Sequence, residues 1–227
     1  MKYILRLNYF LTFLLFSAHC SISGQDGDFG IWYSVNGEHK LTKKLDLLLA
    51  SEARTFSNAS QLDQIFGEGG VSYTLNDIFS TAGSYRLTGK LEDDGNFHIR
   101  HKWFGEVKLT FPVNRFNFSA RLMLQIMKRT YIEKEDDNLP QYTGRIKLKA
   151  EYDIKGLPLT PFISFESFTP MFYDYELLIE KKRFSAGAAY KISKKVLLKP
   201  AYILERYPQN NNKFNYHILA LSCELKF

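Results

Sequence analysis

The sequence has little of several residue types that define specialised protein classes. Of its 227 residues, only 2 are cysteine, 7 are proline and 14 are glycine. Two cysteines are too few for a disulfide-stapled scaffold, and the modest proline and glycine contents exclude a collagen-like repeat. With 45% hydrophobic and 24% charged residues, the composition also excludes a disordered tail. A folded chain without a disulfide framework is expected.

Long apolar runs are also missing beyond the first two dozen residues. The mean hydropathy is -0.25, and no later stretch approaches the run of about 18 apolar residues that marks a membrane-spanning helix. An inner-membrane helical bundle is therefore excluded. Any membrane span in the remaining chain has to be built from strands.

The first residues have the order of a secretory signal peptide. Lys2 and Arg6 precede a mostly apolar stretch over residues 7–18, and small residues follow it. We expect a signal peptide over residues 1–24, with cleavage between Ser21 and Gln25. A membrane anchor helix is the alternative, but the apolar stretch of about 12 residues is short against the usual 20 or so.

Cys20 raises a third interpretation of this segment, a lipid-modified N-terminus, because lipoprotein signals end at a cysteine. The preceding residue is His19, where such signals need a small side chain, so the match is weak. If cleavage follows Cys20, only Cys223 remains and an intramolecular disulfide is impossible. Export without disulfides fits a protein of the bacterial envelope.

The formal net charge is +6, and the isoelectric point is near 9.1. Removing Lys2 and Arg6 with the signal peptide lowers the net charge to +4. Nucleic-acid binding has to be considered for so basic a chain. However, the basic residues alternate with apolar ones instead of forming a stripe or tail, so no nucleic-acid partner is expected.

From Phe29 onward the dominant pattern is alternation of polar and apolar residues, which is the strand period. Residues 145–154 are the clearest example, because every second side chain from Arg145 is charged and every second one from Ile146 is apolar or aromatic. We predict strands at about 29–39, 45–56, 64–76, 79–91, 98–109, 116–129, 145–154, 159–171, 183–192, 196–207 and 213–227. Residues 176–182 could instead form a short helical turn.

The connections between these segments alternate in length. Short turns are predicted at 76–77, 112–114, 155–158 and 193–195, and longer polar loops at 57–61, 92–96, 133–141 and 208–213. Outer-membrane barrels have short periplasmic turns and longer external loops. No linker interrupts the rhythm. The fold class predicted is all-β, an antiparallel up-and-down transmembrane β-barrel of 10–12 strands, forming one outer-membrane domain over residues 25–227.

The end of the chain favours a membrane barrel over a soluble one. A soluble periplasmic ligand-binding barrel would alternate too, with its apolar face inward. Here the last strand carries an apolar stripe from Leu219 to a terminal Phe227, which resembles the signal read by the barrel assembly machinery. We therefore expect a monomer in the outer membrane of a Gram-negative bacterium, with outer-membrane lipid and this machinery as partners.

Two details of the barrel are expected from general rules. The segments number about eleven, whereas single-chain bacterial barrels have an even number of strands, so we expect 10 or 12 strands. One strand assignment is then wrong, and the candidate is the segment around Trp32. Aromatic residues near strand ends, such as Tyr131, Tyr142, Phe111 and Tyr207, are candidates for the lipid-facing girdles, although β propensity alone could explain them.

The inward faces of such a barrel are rich in charge. A structural interpretation is that these groups pair and fill the lumen, since buried charges are tolerated when partnered. A functional one is an anion-preferring pore or a site for a small acidic ligand, since basic residues are in excess and rings of Arg or Lys select anions. The candidate lumen residues are Arg86, Arg100, Arg121, Arg145, Lys147, Glu151, Glu166 and Arg183.

A set of residues spread over the chain suggests a family. The set comprises Tyr85, Arg86, Arg121, residues 145–152, Pro161, Glu166, Phe168, Arg183, Gly187, Tyr190 and Tyr202. It resembles the pattern of the domain-of-unknown-function 2490 family of bacterial outer-membrane-like proteins, over nearly the whole mature chain. The resemblance implies the barrel fold and no particular chemistry, because the family carries no established activity.

The sequence lacks the usual motifs for catalysis or for cofactor binding. The sequence has no Gly-x-Ser-x-Gly elbow and no cysteine pair or His-x-x-x-His spacing for a metal. His101 and His217 fall on lipid-facing stripes, and Gly67, Gly69 and Gly70 are expected to mark a bulge or bend. No catalytic residue, metal or cofactor is predicted. A structural or transport-related role is favoured, with a lipid-modifying barrel enzyme as the alternative.

Overall fold

The computed structural model describes residues 27–131, 139–171, 179–208 and 215–227, so the predicted signal peptide lies outside the described residues. The described residues form eleven β-strands in one closed barrel. None of them forms a helix long and apolar enough to cross a bilayer. The strands are β1 (Gly27–Lys40), β2 (Leu45–Phe56), β3 (Gln61–Thr74), β4 (Phe79–Leu91), β5 (Phe97–Val113), β6 (Phe116–Arg129), β7 (Gln141–Tyr152), β8 (Leu159–Met171), β9 (Lys181–Lys191), β10 (Val196–Arg206) and β11 (Asn215–Lys226).

The alternation of the sequence becomes the two faces of the barrel wall. On β7, Ile146 and Leu148 point outward and are 51% and 52% exposed, whereas Arg145 and Lys147 point into the lumen. Buried side chains inside the barrel include aromatic, charged and aliphatic residues, such as Phe104, Glu166 and Ile218. An apolar outer wall around a polar interior is the arrangement of a transmembrane barrel, and the predicted all-β barrel fold is confirmed.

The barrel closes with a parallel pair. Residues of β1 pair with β11 in the same direction, from Gly27 with Asn215 to Glu38 with Lys226, and the other neighbouring strands pair antiparallel. Eleven strands lie within the predicted range of 10–12, but the expectation of an even number is wrong. The suspected segment around Trp32 is a full strand. A parallel seam allows an odd number of strands to close without an unpaired edge.

Each end of the barrel has its own set of connections. At one end, the turn end, they are short: 41–44, 75–78, 114–115, 153–158 and 192–195. At the other, the loop end, they are 57–60 and 92–96, and then the longer 130–140, 172–180 and 207–214, parts of which lie outside the described residues. The predicted difference in length is therefore clear in the second half of the chain.

One local expectation, which concerns β3, changes. The irregularity of β3 is a register shift opposite Arg54 and Thr55, and the pairing through Gly67, Gly69 and Gly70 is regular. A Cβ on Gly70 would lie 2.5 Å from the Cβ of Ser84, so this glycine allows close approach of two strands at a curved wall.

The possible helical turn at 176–182 lies partly outside the described residues. Lys181 and Lys182 already belong to β9, so its final part is strand. Residues 172–178 lie outside the described part of the chain.

Candidate functional site

The centre of the lumen holds a carboxylate surrounded by arginines. Glu166, on β8, is 1% exposed. Its Oε1 accepts hydrogen bonds from Arg121 Nη2 at 2.9 Å and Arg145 Nη2 at 2.8 Å. Its Oε2 accepts one from Arg183 Nη1 at 3.4 Å. Four different strands, β6 to β9, thus bring one carboxylate and three guanidinium groups together.

Strand register explains this convergence. Arg121 pairs with Lys147, Lys147 with Glu166, Glu166 with Arg183, and Arg183 with Glu205, so these inward side chains form a continuous row across five strands. Cross-strand neighbours on one face lie about 5 Å apart at Cβ, within reach of charged side chains. We call Glu166, Arg121, Arg145, Lys147 and Arg183 the Glu166 cluster.

A second carboxylate extends the row. Glu205, 5% exposed, accepts a hydrogen bond from Arg183 Nε at 2.6 Å, and Lys181 Nζ lies 3.6 Å from its Oε1. On the other side, Arg121 Nη1 lies 3.4 Å from Glu106 Oε2. Even with these two carboxylates and Lys181 included, cations outnumber carboxylates around Glu166.

Two donors of the cluster have no partner among the described residues. Lys147 forms no ion pair there, although it is next to Glu166 in the register. The Nε of the neighbouring Arg121 is buried and has no acceptor. The cluster therefore keeps unused positive donors, and a buried donor without an acceptor is costly unless water or an anion satisfies it.

Aromatic rings line the same interior. The charged groups of Arg145, Lys181 and Arg183 lie 4.6, 4.3 and 5.0 Å from the ring centre of Phe168. Such contacts favour the cation because the ring face is electronegative. Phe168 thus helps to hold cations in a lumen that has too few carboxylates for them.

The opposite wall repeats this combination. Arg86 donates to Glu68 at 2.6 Å and lies 3.7 Å from the ring centre of Phe66, while Arg54 lies 3.7 Å from that of Trp32. The inward aromatics Trp32, Phe66 and Phe104 were not among the sequence-based candidates. The alternation contained the signal for Phe66, since it shares a face with Glu68.

The eight candidate lumen residues all lie on the inner wall, but only part of them come together. Four belong to the Glu166 cluster as its cations, and Glu166 is its carboxylate. The remaining three pair elsewhere: Arg86 with Glu68, Arg100 with Glu92 at the loop end, and Glu151 with Lys149 at 2.6 Å nearer the turn end. Their functional role stays a prediction.

A polar cavity of about 670 Å³ opens at the loop end of the barrel. Its lining includes Arg54, Arg100, Lys102 and the aromatic Trp32 and Tyr207. The cavity also touches Lys181 and Glu205, which adjoin the Glu166 cluster. It therefore connects the loop end with the charged centre of the lumen.

Lys102 is the free cation of this cavity within the described residues. It faces inward from β5, is half-buried and forms no ion pair in the described part of the chain. The charged groups that act on it are cations, namely Arg86, Arg54, Arg100 and Lys181. Lys102 thus provides uncompensated positive charge next to open space.

The mouth of the cavity is organised by Glu92, which follows β4. It accepts hydrogen bonds from Tyr131 Oη at 2.8 Å and Arg100 Nε at 2.9 Å. Partial burial alone would raise the pKa of Glu92, but these hydrogen bonds lower it overall. Tyr131 and Tyr207 therefore belong to the mouth, and their expected place in a lipid-facing girdle is wrong.

The outward histidines are held by tyrosines. Tyr85 Oη and His101 Nδ1 are hydrogen-bonded at 2.6 Å, and Tyr202 bonds to His217 in the same way. Both pairs lie on the outer wall, as the alternation predicted. In the described residues, no three His, Cys, Asp or Glu side chains come together as metal ligands.

Comparisons with known proteins support the barrel fold. The model of a family described as "Protein of unknown function (DUF2490)" matches residues 29–216. A search of curated proteins finds no match.

Among solved structures, a NanC porin shares 12% sequence identity, with a TM-score of 0.50 over 82% of this chain and 92% of that chain. The β-domain of the Bordetella autotransporter BrkA shares 12%, with a TM-score of 0.49 over 73% and 78%. A KdgM porin shares 15%, with a TM-score of 0.39 over 79% and 92%. At these identities the likeness concerns the fold alone.

Proposed function

Since the chain belongs to the DUF2490 family of proteins of unknown function, we propose a role from its own lumen: the barrel passes small anions across the outer membrane of a Gram-negative bacterium. The porin-like fold supports this location. The predicted signal peptide over residues 1–24 would direct export. The surrounding lipid, and recognition of Phe227 by the barrel assembly machinery, belong to the same proposal, as does a monomeric state.

The observation that carries the proposal is the unused positive charge at the Glu166 cluster. Lys147 and Arg121 Nε, which are neighbours in the register, have no acceptor among the described residues. Lys102, which forms no ion pair with a described residue, adds a further cation in the cavity above them. A mobile anion can satisfy these donors in turn, and rings of Lys and Arg favour anions over cations.

The size of the permeating anion is limited by the same cluster. The loop-end cavity of about 670 Å³ can admit a small solute. Below it, Glu166 is 1% exposed, so side chains pack closely around it and leave little open space at this level of the lumen. We therefore propose that the Glu166 cluster is the constriction, which admits small anions and excludes larger solutes.

A closed barrel with a structural role is the second candidate. The near-complete burial of Glu166 favours it, since side chains that pair across a lumen can also seal it. Within the described residues, no feature favours the lipid-modifying enzyme or the soluble periplasmic barrel. The soluble form would need its apolar side chains inside, whereas Leu122 and Ile163 are 61% and 64% exposed on the outer wall.

Planar bilayer recording of the purified, folded barrel separates the two candidates. Under a potassium chloride gradient we expect single-channel steps. The reversal potential should have the sign that shows chloride to be more permeant than potassium. Lys147→Gln and Lys102→Gln should each move that potential toward zero, because each removes an unpaired lumen cation. The absence of steps would overturn the pore and favour the closed barrel, and cation preference would contradict the charge argument.

Lys128→Gln is the matched control for this experiment. Lys128 is exposed on the outer wall, opposite His101 in the register, so the substitution removes the same charge from outside the lumen. The reversal potential should equal that of the unmodified protein. An equal shift in all three variants would show that the lumen lysines do not set selectivity.

A further inference from the structure

The outer wall of the barrel is unusual between β5 and β10. A groove of about 660 Å³ runs over these strands among outward-facing side chains. Ala150 and Ala186 are short side chains in it, and they flank Ile163 in the strand register. Larger rings border them: Phe165 and Phe184 lie with their ring centres 5.0 Å apart. The wall is therefore indented where most of the barrel is convex.

Two cations lie directly above this groove, toward the loop end. On β9, Lys182 lies two residues nearer the loop end than Phe184. On β10, Arg206 lies two residues nearer the loop end than Leu204. The two are cross-strand partners and face outward with their apolar neighbours. Neither forms an ion pair with a described residue. A pair of adjacent, unpaired cations thus caps an apolar groove.

The charge pattern of the outer wall makes this pair stand out. Along the described strands, the outward-facing Lys and Arg residues are Lys128, Lys182 and Arg206, all near the loop end, and no carboxylate faces outward there. Charged side chains facing hydrocarbon are costly, and those near the interface are attracted to anionic headgroups. Tyr202, which lines the groove, forms a hydrogen bond with His217 on β11 and adds polar groups beside it.

From this arrangement we propose that the groove and the Lys182–Arg206 pair form a binding site for a phosphorylated glycolipid of the outer leaflet, such as lipid A. The phosphate binds the two cations, and an acyl chain lies in the groove beside Phe165 and Phe184. In outer-membrane barrels the longer loops face outward from the cell, so the loop end is the external end. The headgroup therefore comes from the outer leaflet. The site lies outside the lumen and does not depend on anion passage.

The test measures binding of purified lipid A to the folded barrel in detergent, by native mass spectrometry. The unmodified protein should retain lipid A. The double variant K182Q/R206Q should bind it about thirtyfold more weakly, since the two interfacial cations contribute on the order of 1 kcal/mol each. Lys128→Gln removes a single outer-wall cation away from the groove and should bind as the unmodified protein does.

A second variant tests the groove separately. Ala186→Phe fills the indentation while both cations remain, and it should also weaken lipid A binding. Dephosphorylated lipid A should bind the unmodified protein as weakly as phosphorylated lipid A binds K182Q/R206Q. Equal binding of lipid A by the unmodified protein and K182Q/R206Q would overturn the proposal, and so would equal retention of phosphatidylglycerol and lipid A.

Discussion

Leu148→Arg should destabilise the inserted barrel by about 2–4 kcal/mol, the cost of a lipid-facing arginine near the bilayer midplane. Leu148 lies well inside β7, points outward and is 52% exposed. Its cross-strand neighbours are Ala120 and Phe165, so no carboxylate is available to pair with the new charge. Reversible unfolding by guanidinium in lipid vesicles, followed by tryptophan fluorescence, measures the difference.

The adjacent Lys147 provides a control for the assignment of the inner and outer faces of β7. Lys147→Gln changes an inward residue that forms no ion pair with the described residues, so insertion and heat-modifiable gel mobility should be preserved. Leu148→Val keeps an apolar side chain on the outer wall and should also fold normally. If Leu148→Arg unfolds at the same denaturant concentration as these two variants, the outer wall of β7 does not face lipid.

Glu166→Gln should cost about 3–5 kcal/mol of stability, the usual effect of removing one partner from a buried charge network. Glu166 is 1% exposed and accepts hydrogen bonds from Arg121, Arg145 and Arg183. The glutamine keeps the shape of the side chain but leaves three partly buried guanidinium groups without their shared carboxylate. The same guanidinium titration in vesicles measures this loss.

Glu151→Gln is the matched substitution on the same inner wall. Glu151 pairs with a single cation, Lys149, and both side chains are 21% exposed, so water compensates for the lost charge. Its effect should be below about 1 kcal/mol. Equal stability of the two variants would show that Glu166 does not organise the lumen. Added sulfate should partly restore Glu166→Gln, because an anion can occupy the place of the carboxylate.

The faces of the barrel could be predicted from the sequence because alternation is a local property. The side chains of residues 145–152 sort into an inner and an outer set without any knowledge of neighbouring strands. The same pattern placed His101 and His217 on the outer wall. Strand ends were less certain, since Tyr131 and Tyr207 could turn either to lipid or to the mouth.

The number of strands and the closure of the barrel could not be predicted in this way. Alternation records which face a side chain occupies, but not the direction of the strand beside it. The segment around Trp32 was suspect only because an even number was assumed, whereas β1 pairs in parallel with β11. Pairing between the first and last strands is a long-range property of the chain.

The Glu166 cluster shows the same limit at the level of a site. The sequence placed its members on inner faces, but three arginines meet at one carboxylate only because of the register between β6 and β9. A slip of one residue in a single pair would turn one of these arginines toward lipid. Lys181 was missed because the predicted strand began at Arg183.

The parallel pairing of β1 with β11 also limits circular permutation of the chain. In a barrel closed by antiparallel neighbours, the first and last residues share a rim, and a few added residues can join them in a circular permutant. Here Gly27 lies at the loop end and Phe227 at the turn end. With 14 residues at about 3.3 Å each, β1 alone is about 46 Å long. A joining segment would have to travel the full height of the wall, so rearranged versions of this chain need a twelfth crossing.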